Sequence, residues 1–260
     1  MKFLNKVLEH KIKEVDKRKL SLPLDDIKKI ALETKWERRP FLQIFQNGRG
    51  IICEIKPRSP SKGQLIFGDI ETVAKTYAGS TADAISVLTY SEFFGGGLEN
   101  LKTVRDIAPQ PILQKDFIID EYQIYESLLY GADAFLLIVA ALTKEKLKDL
   151  LQLGLSLNLG VLVEVHTQEE LDIAMSVGAP LIGINNRDLE SLEVHLERTE
   201  ELSSNVPKNI PFISESGIYS AQDVVRVRKV GAKGILVGTS ILESTNPVEL
   251  ISELKSELNK

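Results

Sequence analysis

Charged side chains stand at the ends of several apolar runs in this chain of 260 residues. Glu54 and Lys56 lie two residues apart, and Lys115 and Glu164 stand at the ends of two later runs. Because successive side chains of a strand point to opposite faces, Glu54 and Lys56 point the same way and can form a carboxylate–ammonium pair. Two lysines and two glutamates around one opening predict proton transfer. A ring of structural ion pairs is the alternative.

The two lysines indicate where the proton comes from. A lysine that is partly desolvated and close to a second lysine has a lowered pKa, which suits a general acid near neutral pH. We therefore expect a lowered pKa for a lysine of this group, Lys56 or Lys115. A glutamate that faces it is the expected base.

Small residues follow the last two apolar runs, as Ser216-Gly217 and Gly238-Thr239. In (β/α)₈ barrels, phosphate groups often bind to the loops after the seventh and eighth strands, where backbone N–H groups at a helix N-terminus meet the anion. Each pair alone is typical of an ordinary turn. The two pairs together, after these two runs, predict a phosphate site.

The apolar runs define the elements that must position these groups. Amphipathic, helix-like stretches lie between them, and several stop at a glycine, such as Gly131, which tolerates positive φ. The strand-like runs are Ile51–Ile55, Ala84–Leu88, Pro111–Lys115, Ala134–Ala141, Gly160–Val165, Leu181–Asn185, Pro211–Glu215 and Gly234–Gly238. The helix-like stretches include Ile70–Tyr77, Glu121–Tyr130, Lys144–Leu155, Glu169–Val177, Ala221–Val230 and Pro247–Leu258. Eight such units favour an α/β fold, a single closed (β/α)₈ TIM barrel, over an open doubly wound sheet.

The first forty residues have a different pattern. Apolar residues recur at helical spacing from Phe3 to Val15, and a second helix is expected over Asp25–Lys35. Pro40 is expected to end this helical region. We therefore expect one domain over residues 1–260, with an N-terminal helical extension over 1–45 and the barrel over 46–260.

Composition and charge exclude several classes of function. Lys and Arg total 32 against 37 Asp and Glu, a net charge of -5, which argues against broad nucleic-acid binding. The single cysteine, Cys53, excludes an intramolecular disulfide and a CxxC zinc site. The longest apolar run, Ala134–Leu142, is far shorter than the ~20 residues that span a bilayer. No signal peptide is apparent, so a cytoplasmic location is expected. His10, His166 and His195 lie in unrelated contexts and are interpreted as surface or structural histidines.

Seven segments at the ends of these runs resemble those of the indole-3-glycerol-phosphate synthase family. They are Glu54–Gly63, Ser86–Thr89, Lys115–Ile118, Leu137–Leu142, Glu164–His166, Ile182–Leu189 and Ser214–Ile218. The resemblance implies a (β/α)₈ barrel with an N-terminal helical extension. It implies a carboxy-lyase of tryptophan biosynthesis that closes the indole ring of 1-(2-carboxyphenylamino)-1-deoxyribulose 5-phosphate, with loss of carbon dioxide and water. It implies no metal and no organic cofactor.

The resemblance also implies roles for individual residues. Lys115 resembles the general acid that protonates the ketone oxygen, and Glu164 and Glu54 resemble the carboxylates that serve as base and electrostatic partner. Lys56 resembles a lysine near the phosphate that can also act as an acid in the dehydration. Substrate binding is implied for Ser59, Phe94, Phe117, Asn185 and Arg187, and phosphate binding for Lys56, Ser216, Gly217, Gly238 and Thr239.

Two other classes of protein stay open. One is a different phosphate-binding barrel enzyme, such as phosphoribosylanthranilate isomerase, which uses a cysteine and an aspartate as its acid–base pair. Cys53 has the opposite parity to Glu54, so we expect it to face the helices as a packing residue. The other is a non-catalytic phosphate-binding barrel, which we expect to lack some of the four charged residues. The expected partner is a phosphorylated small molecule, with no nucleic acid and no membrane, and the chain is expected to be a monomer or a homodimer.

Overall fold

Eight parallel strands close into a barrel in the computed structural model, which describes residues 2–260. The strands are β1 (Gly50–Ile55), β2 (Ala84–Leu88), β3 (Ile112–Lys115), β4 (Ala134–Ile138), β5 (Gly160–Val165), β6 (Ile182–Asn185), β7 (Phe212–Glu215) and β8 (Gly234–Val237). Each strand pairs in parallel with the strands before and after it, and β8 pairs with β1. The predicted closed barrel is confirmed, and the open sheet is excluded.

The helices alternate with these strands as the amphipathic stretches predict. In residues 2–260 they are α1 (Lys2–Ser21), α2 (Leu24–Leu32), α3 (Phe41–Asn47), α4 (Ile70–Ala78), α5 (Ser91–Phe94), α6 (Glu99–Ile107), α7 (Glu121–Leu129), α8 (Lys144–Ser156), α9 (Gln168–Ser176), α10 (Glu197–Ser203), α11 (Ala221–Lys229), α12 (Thr239–Leu242) and α13 (Pro247–Asn259). Gly131 follows α7 with a φ of 82°, the left-handed conformation that lets glycine stop a helix. No helix among the described residues has the length and apolar character needed to cross a membrane.

One predicted strand is too long. The run Ala134–Ala141 continues as strand only to Ile138, and Val139–Ala141 forms a 3₁₀ turn. The carbonyl of Val139 accepts the N–H of Leu142 at 3.1 Å, which turns the chain away from the barrel toward α8. Val139 is buried and the two alanines after it are partly buried, so the apolar character of these residues reflects packing rather than pairing with a neighbouring strand.

Within residues 2–49, three helices precede β1, one more than the sequence predicted. Pro40 does not end the helical region but stands just before α3. A proline costs no hydrogen bond there, since the first N–H groups of a helix have no intrahelical acceptor. Phe41 and Phe45 of α3 meet edge to face with their ring centroids 5.5 Å apart. They pack against Gly160 and Gly234, the first residues of β5 and β8, and so close the amino end of the barrel.

The alternation of side chains along β1 divides the core into two layers. Ile52 belongs to the cluster inside the barrel, whereas Cys53 belongs to the cluster between the barrel and the helices. The prediction that Cys53 faces the helices is confirmed. Burial raises the pKa of its thiol far above the ordinary value, so Cys53 is a packing group and not an acid or base.

Candidate active site

The thirteen predicted site residues line one pocket at the carboxyl end of the barrel. They are Glu54, Lys56, Ser59, Phe94, Lys115, Phe117, Glu164, Asn185, Arg187, Ser216, Gly217, Gly238 and Thr239. The pocket has a volume of about 1090 Å³, including space open to solvent. All the side chains that the sequence singled out can therefore face the same ligand.

A chain of alternating charges forms the centre of this pocket. Nζ of Lys115 lies 3.1 Å from Oε2 of Glu54 and 3.0 Å from Oε2 of Glu215. The other oxygen of Glu54 accepts a hydrogen bond from Nζ of Lys56 at 2.6 Å. The two lysine side chains are 14% exposed, enough for their ammonium groups to reach a ligand.

The expectation of a lowered pKa is wrong for Lys115. Burial alone lowers the pKa of this lysine, but the carboxylates of Glu54, Glu215 and Glu164 outweigh burial and hold the pKa above its usual range. The expectation assumed that a second lysine nearby would lower the pKa by repulsion. In the structure the charges nearest to Nζ of Lys115 are carboxylates, which raise the pKa. Lys115 therefore carries a proton at neutral pH and can act as a donor.

Two of the buried carboxyl groups differ in their pKa. Burial would raise the pKa of Glu54, but Lys115 and Lys56 lower it to about 2. Glu215 has a pKa raised to about 7 by burial and by Glu164 and Glu54, against the effect of Lys115. Lys115 thus contacts both a carboxylate that stays ionised and a carboxyl group that readily takes up a proton.

Glu215 is a residue that the sequence reasoning did not select. It ends β7, and its side chain has no exposed surface and lies beneath the pocket against Lys115. Gly183 of β6 provides the space, because a Cβ atom there would lie 2.0 Å from Oε1 of Glu215. Glu215 lies two residues after Ile213, which packs inside the barrel. Alternation along the strand therefore predicts that Glu215 also points to the inside.

The predicted phosphate end is formed by the loops after β7 and β8. Ser216 and Gly217 have φ angles of 63° and 83°, and Gly238 directly precedes α12. Oγ of Ser240 donates a hydrogen bond to the carbonyl of Ile218 at 2.8 Å, which joins the two loops. Small residues and free backbone N–H groups in such loops suit an anion.

Aromatic side chains form the opposite wall. Tyr90 is buried, and its ring centroid lies 5.6 Å from Phe117 and 6.4 Å from Phe94. Phe3 of α1 also lines the pocket, a contribution that sequence reasoning did not anticipate. Its only signal was its place in the apolar stripe of the first helix.

The predicted polar groups come from two strand ends: Asn185 ends β6 and Arg187 follows it, whereas Ser59 lies in the segment after β1. Oδ1 of Asn185 accepts the backbone N–H of Arg187 at 3.0 Å. Nη1 of Arg187 donates to the carbonyl of Leu192 at 2.7 Å, which holds the guanidinium at the pocket edge. Ser59 is nearly buried, and its Oγ accepts the N–H of Lys62 at 3.1 Å. These groups can bind a carboxylate.

Comparison with known proteins identifies the family. A family model described as indole-3-glycerol phosphate synthase matches residues 4–254. The indole-3-glycerol phosphate synthase of Thermoanaerobacter sp. (strain X514) is 41% identical over 257 residues, which cover 98% of this chain and 97% of that protein. This chain belongs to the indole-3-glycerol phosphate synthase family. The family's protein from Roseiflexus sp. (strain RS-1) is 44% identical over 263 residues, covering 97% of each chain.

A solved structure with low sequence identity shows the same fold. The 3-hexulose-6-phosphate synthase of Salmonella typhimurium superimposes with a TM-score of 0.65 at 14% sequence identity, over 80% of this chain and 98% of that chain. The indole-3-glycerol phosphate synthase family match, in contrast, extends from the first helix to the last. It therefore covers both the helices before β1 and the barrel.

Proposed function

We propose that this chain converts 1-(2-carboxyphenylamino)-1-deoxyribulose 5-phosphate to indole-3-glycerol phosphate, as a carboxy-lyase of tryptophan biosynthesis. The observation that carries the proposal is the contact of protonated Lys115, in the pocket lining, with Glu54 and with the buried Glu215 beneath the pocket. Membership of the family supports the same activity.

The pocket suggests how the substrate lies. Its phosphate meets the loops after β7 and β8, with Lys56 nearby. Its aromatic ring packs between Phe94 and Phe117, and its carboxylate meets the polar groups around Asn185 and Arg187. Holding the ring carbon over the ketone in this way can supply ~7–11 kcal/mol of the barrier.

The reaction divides into three bond changes. The ring carbon that bears the carboxylate attacks the ketone carbon, and the ketone oxygen takes a proton. The bond between the ring carbon and the carboxylate then breaks, and carbon dioxide leaves. The electron pair of that bond stays with the ring and restores its aromaticity. The new hydroxyl leaves as water with a second proton, while one proton comes off carbon. Two protons go to oxygen and one is released, so each turnover takes up one proton from water.

We assign these transfers to the buried charges. Lys115 donates the proton to the ketone oxygen, because its neighbouring carboxylates keep it protonated until that oxygen becomes basic. Glu164 accepts the proton that comes off carbon. His166 and Lys115 lower its pKa against the effect of burial, so Glu164 is ionised and free to take up that proton. Glu54 holds both lysines in place, and Lys56 assists the loss of water.

The test is the growth of indole fluorescence when purified protein meets the substrate with a chelator present. We expect product, and a fall in kcat of about 10²–10⁴-fold for Lys115→Ala. Circular dichroism establishes that both proteins are folded. A folded wild-type chain that forms no product contradicts the proposed activity, and normal turnover by Lys115→Ala removes this lysine from the mechanism.

A further inference from the structure

His166 connects a carboxylate of the pocket to one outside it. Its ring is 7% exposed at the end of β5, with Nε2 3.3 Å from Oε1 of Glu164 and Nδ1 3.1 Å from Oε2 of Glu170. The Glu170 carboxylate is fixed in the first turn of α9, because it also accepts the backbone N–H of His166 at 2.7 Å. The neighbouring 3₁₀ turn, Val139–Ala141, has no titratable side chain.

A carboxylate at each ring nitrogen favours the doubly protonated form of His166. A neutral imidazole has a donor at one nitrogen and a lone pair at the other, so one of the two carboxylates would face a lone pair. Burial lowers the pKa of His166, but Glu164 and Glu170 outweigh burial and raise that pKa to about 9. A positive charge therefore lies beside Glu164 at neutral pH.

The other charged groups around Glu164 come from across the barrel. Lys115 of β3 lowers the pKa of Glu164 together with His166, against the effect of burial. Glu215 of β7 is close enough for the two carboxylates to repel each other. Since Lys115 is shared with Glu54 and Glu215, loss of the His166 charge leaves Glu164 poorly compensated.

We propose that His166 is a positioning residue for the reaction: anchored by Glu170, its ring fixes the carboxylate of Glu164 and keeps it ionised. This inference rests on the proposed role of Glu164 as the base. A protonated Glu164 cannot accept the proton that comes off carbon. With a neutral residue at position 166, Glu164 takes up its proton at a higher pH, so activity is lost at a higher pH than in the wild type.

The first experiment compares the pH dependence of kcat/KM in the wild type and in His166→Gln. Glutamine keeps a hydrogen-bonding amide but removes the charge. We expect the acidic limb to move to higher pH by about one unit or more, since a nearby opposite charge changes a carboxyl pKa by that amount. KM at pH 8.5 stays close to that of the wild type. An acidic limb that does not move overturns the proposal.

The chain offers a matched control in a second Glu-Val-His tripeptide, Glu193-Val194-His195. There Nε2 of His195 lies 3.4 Å from Oε2 of Glu193, but the histidine side chain is 56% exposed and is not part of the pocket lining. We expect His195→Gln to leave the pH profile unchanged. Glu170→Gln keeps His166 and removes one of its two carboxylates, so a smaller shift in the same direction is expected. That variant tests the proposal even when His166→Gln does not fold.

A double-mutant cycle separates this inference from the role of Glu164. If His166 acts through Glu164, adding His166→Gln to Glu164→Gln lowers kcat by less than about twofold, because the two residues share one function. If His166→Gln lowers kcat by the same factor in the wild type and in Glu164→Gln, the inference is overturned, while the role of Glu164 as the base is unaffected. Wild-type turnover by Glu164→Gln overturns the assigned role of Glu164 itself.

A spectroscopic measurement reads the proton on His166 directly. In protein labelled with ¹⁵N-histidine, we expect one of the three histidine rings to titrate with a pKa of about 9. That signal is absent from His166→Gln and present in His195→Gln. A His166 ring that titrates at about 6.5, the ordinary histidine value, overturns the proposal.

Discussion

Nζ of Lys115 lies 3.0 Å from Oε2 of Glu215, a carboxyl group with no exposed surface. Glu54 approaches the same ammonium group from β1, so one lysine is shared by carboxylates from two strands. The pocket therefore keeps its proton donor charged by burying more than one acid around it. That arrangement costs stability, because a buried carboxyl group with only a shared partner is poorly compensated.

The first prediction concerns the stability cost at Glu215. Its pKa in the folded protein, about 7, lies above the ordinary 4.5, so the fold favours the protonated form. The stability from this group is complete below pH 4.5 and is lost as the pH rises through about 7. The side chain in Glu215→Gln does not titrate, so the variant does not lose this stability. As the pH rises from 4.5 to about 7, we expect the unfolding free energy of the variant, relative to that of the wild type, to increase by up to ~3 kcal/mol.

Chemical denaturation at pH 4.5 and pH 8 measures this gain. Glu193→Gln, at a side chain that is 70% exposed, is the control for removing one charge from the surface. We also expect Glu215→Gln to lower kcat, since Lys115 loses a charged partner. A difference in unfolding free energy that is equal at both pH values contradicts the assignment of the raised pKa to Glu215.

Local sequence patterns predicted most of the fold and most of the pocket, because both depend on alternation along single strands. The parity of Glu54 and Lys56 was enough to direct both into the pocket. The charge environment of Lys115 could not be predicted in this way. Glu54 of β1 and Glu215 of β7 meet Lys115 of β3 only because the barrel closes. The spacing of residues within one strand gives no information about contacts between different strands.

Short elements were also beyond local patterns. The helix Phe41–Asn47 has few residues, and its two phenylalanines pack against glycines at the start of distant strands. The end of β4 was misplaced because Val139–Ala141 is as apolar as a buried strand. In both cases packing against the rest of the barrel, rather than propensity, decides the structure.

The second prediction concerns the contact between the phosphate end and the ion pairs. A Cβ atom at Gly238 would lie 2.5 Å from Oε1 of Glu54 and 3.1 Å from its Cβ. Gly238→Ala must therefore displace Glu54 or the loop after β8. We expect a lower kcat, a higher KM and a loss of about 1–3 kcal/mol in the free energy of unfolding. Gly68→Ala is the control, because nothing lies within 4 Å of its new methyl group. Kinetics for Gly238→Ala that equal those of Gly68→Ala contradict the prediction.

The third prediction concerns the amino end of the barrel, where Asp133 is fully buried. Its carboxylate accepts hydrogen bonds from Nη1 of Arg105 at 2.8 and 2.7 Å and from the backbone N–H groups of Arg39 and Ile112. Asp133→Ala leaves the Arg105 charge buried without its partner. We expect a loss of about 3–5 kcal/mol in unfolding free energy with KM unchanged, since this end of a barrel serves stability. Thermal unfolding and steady-state kinetics measure both, with the exposed Asp149→Ala as the control. A raised KM at temperatures where the variant is folded is the contrary result.

The last prediction concerns Lys11, which joins the first helix to the pocket. Its side chain has no exposed surface, and Nζ lies 2.8 Å from Oδ1 of Asp116 and 2.7 Å from Oε2 of Glu14. Asp116 also accepts the backbone N–H of Phe117, a wall of the pocket. Lys11→Met leaves both carboxylates without this cation, so we expect a loss of about 3–5 kcal/mol in unfolding free energy and a raised KM. Lys13→Met, on the exposed face of the same helix, is the control and is expected to change neither quantity. A variant that loses stability but keeps the wild-type KM would confine Lys11 to anchoring the helix, since Phe117 would then hold its place without it.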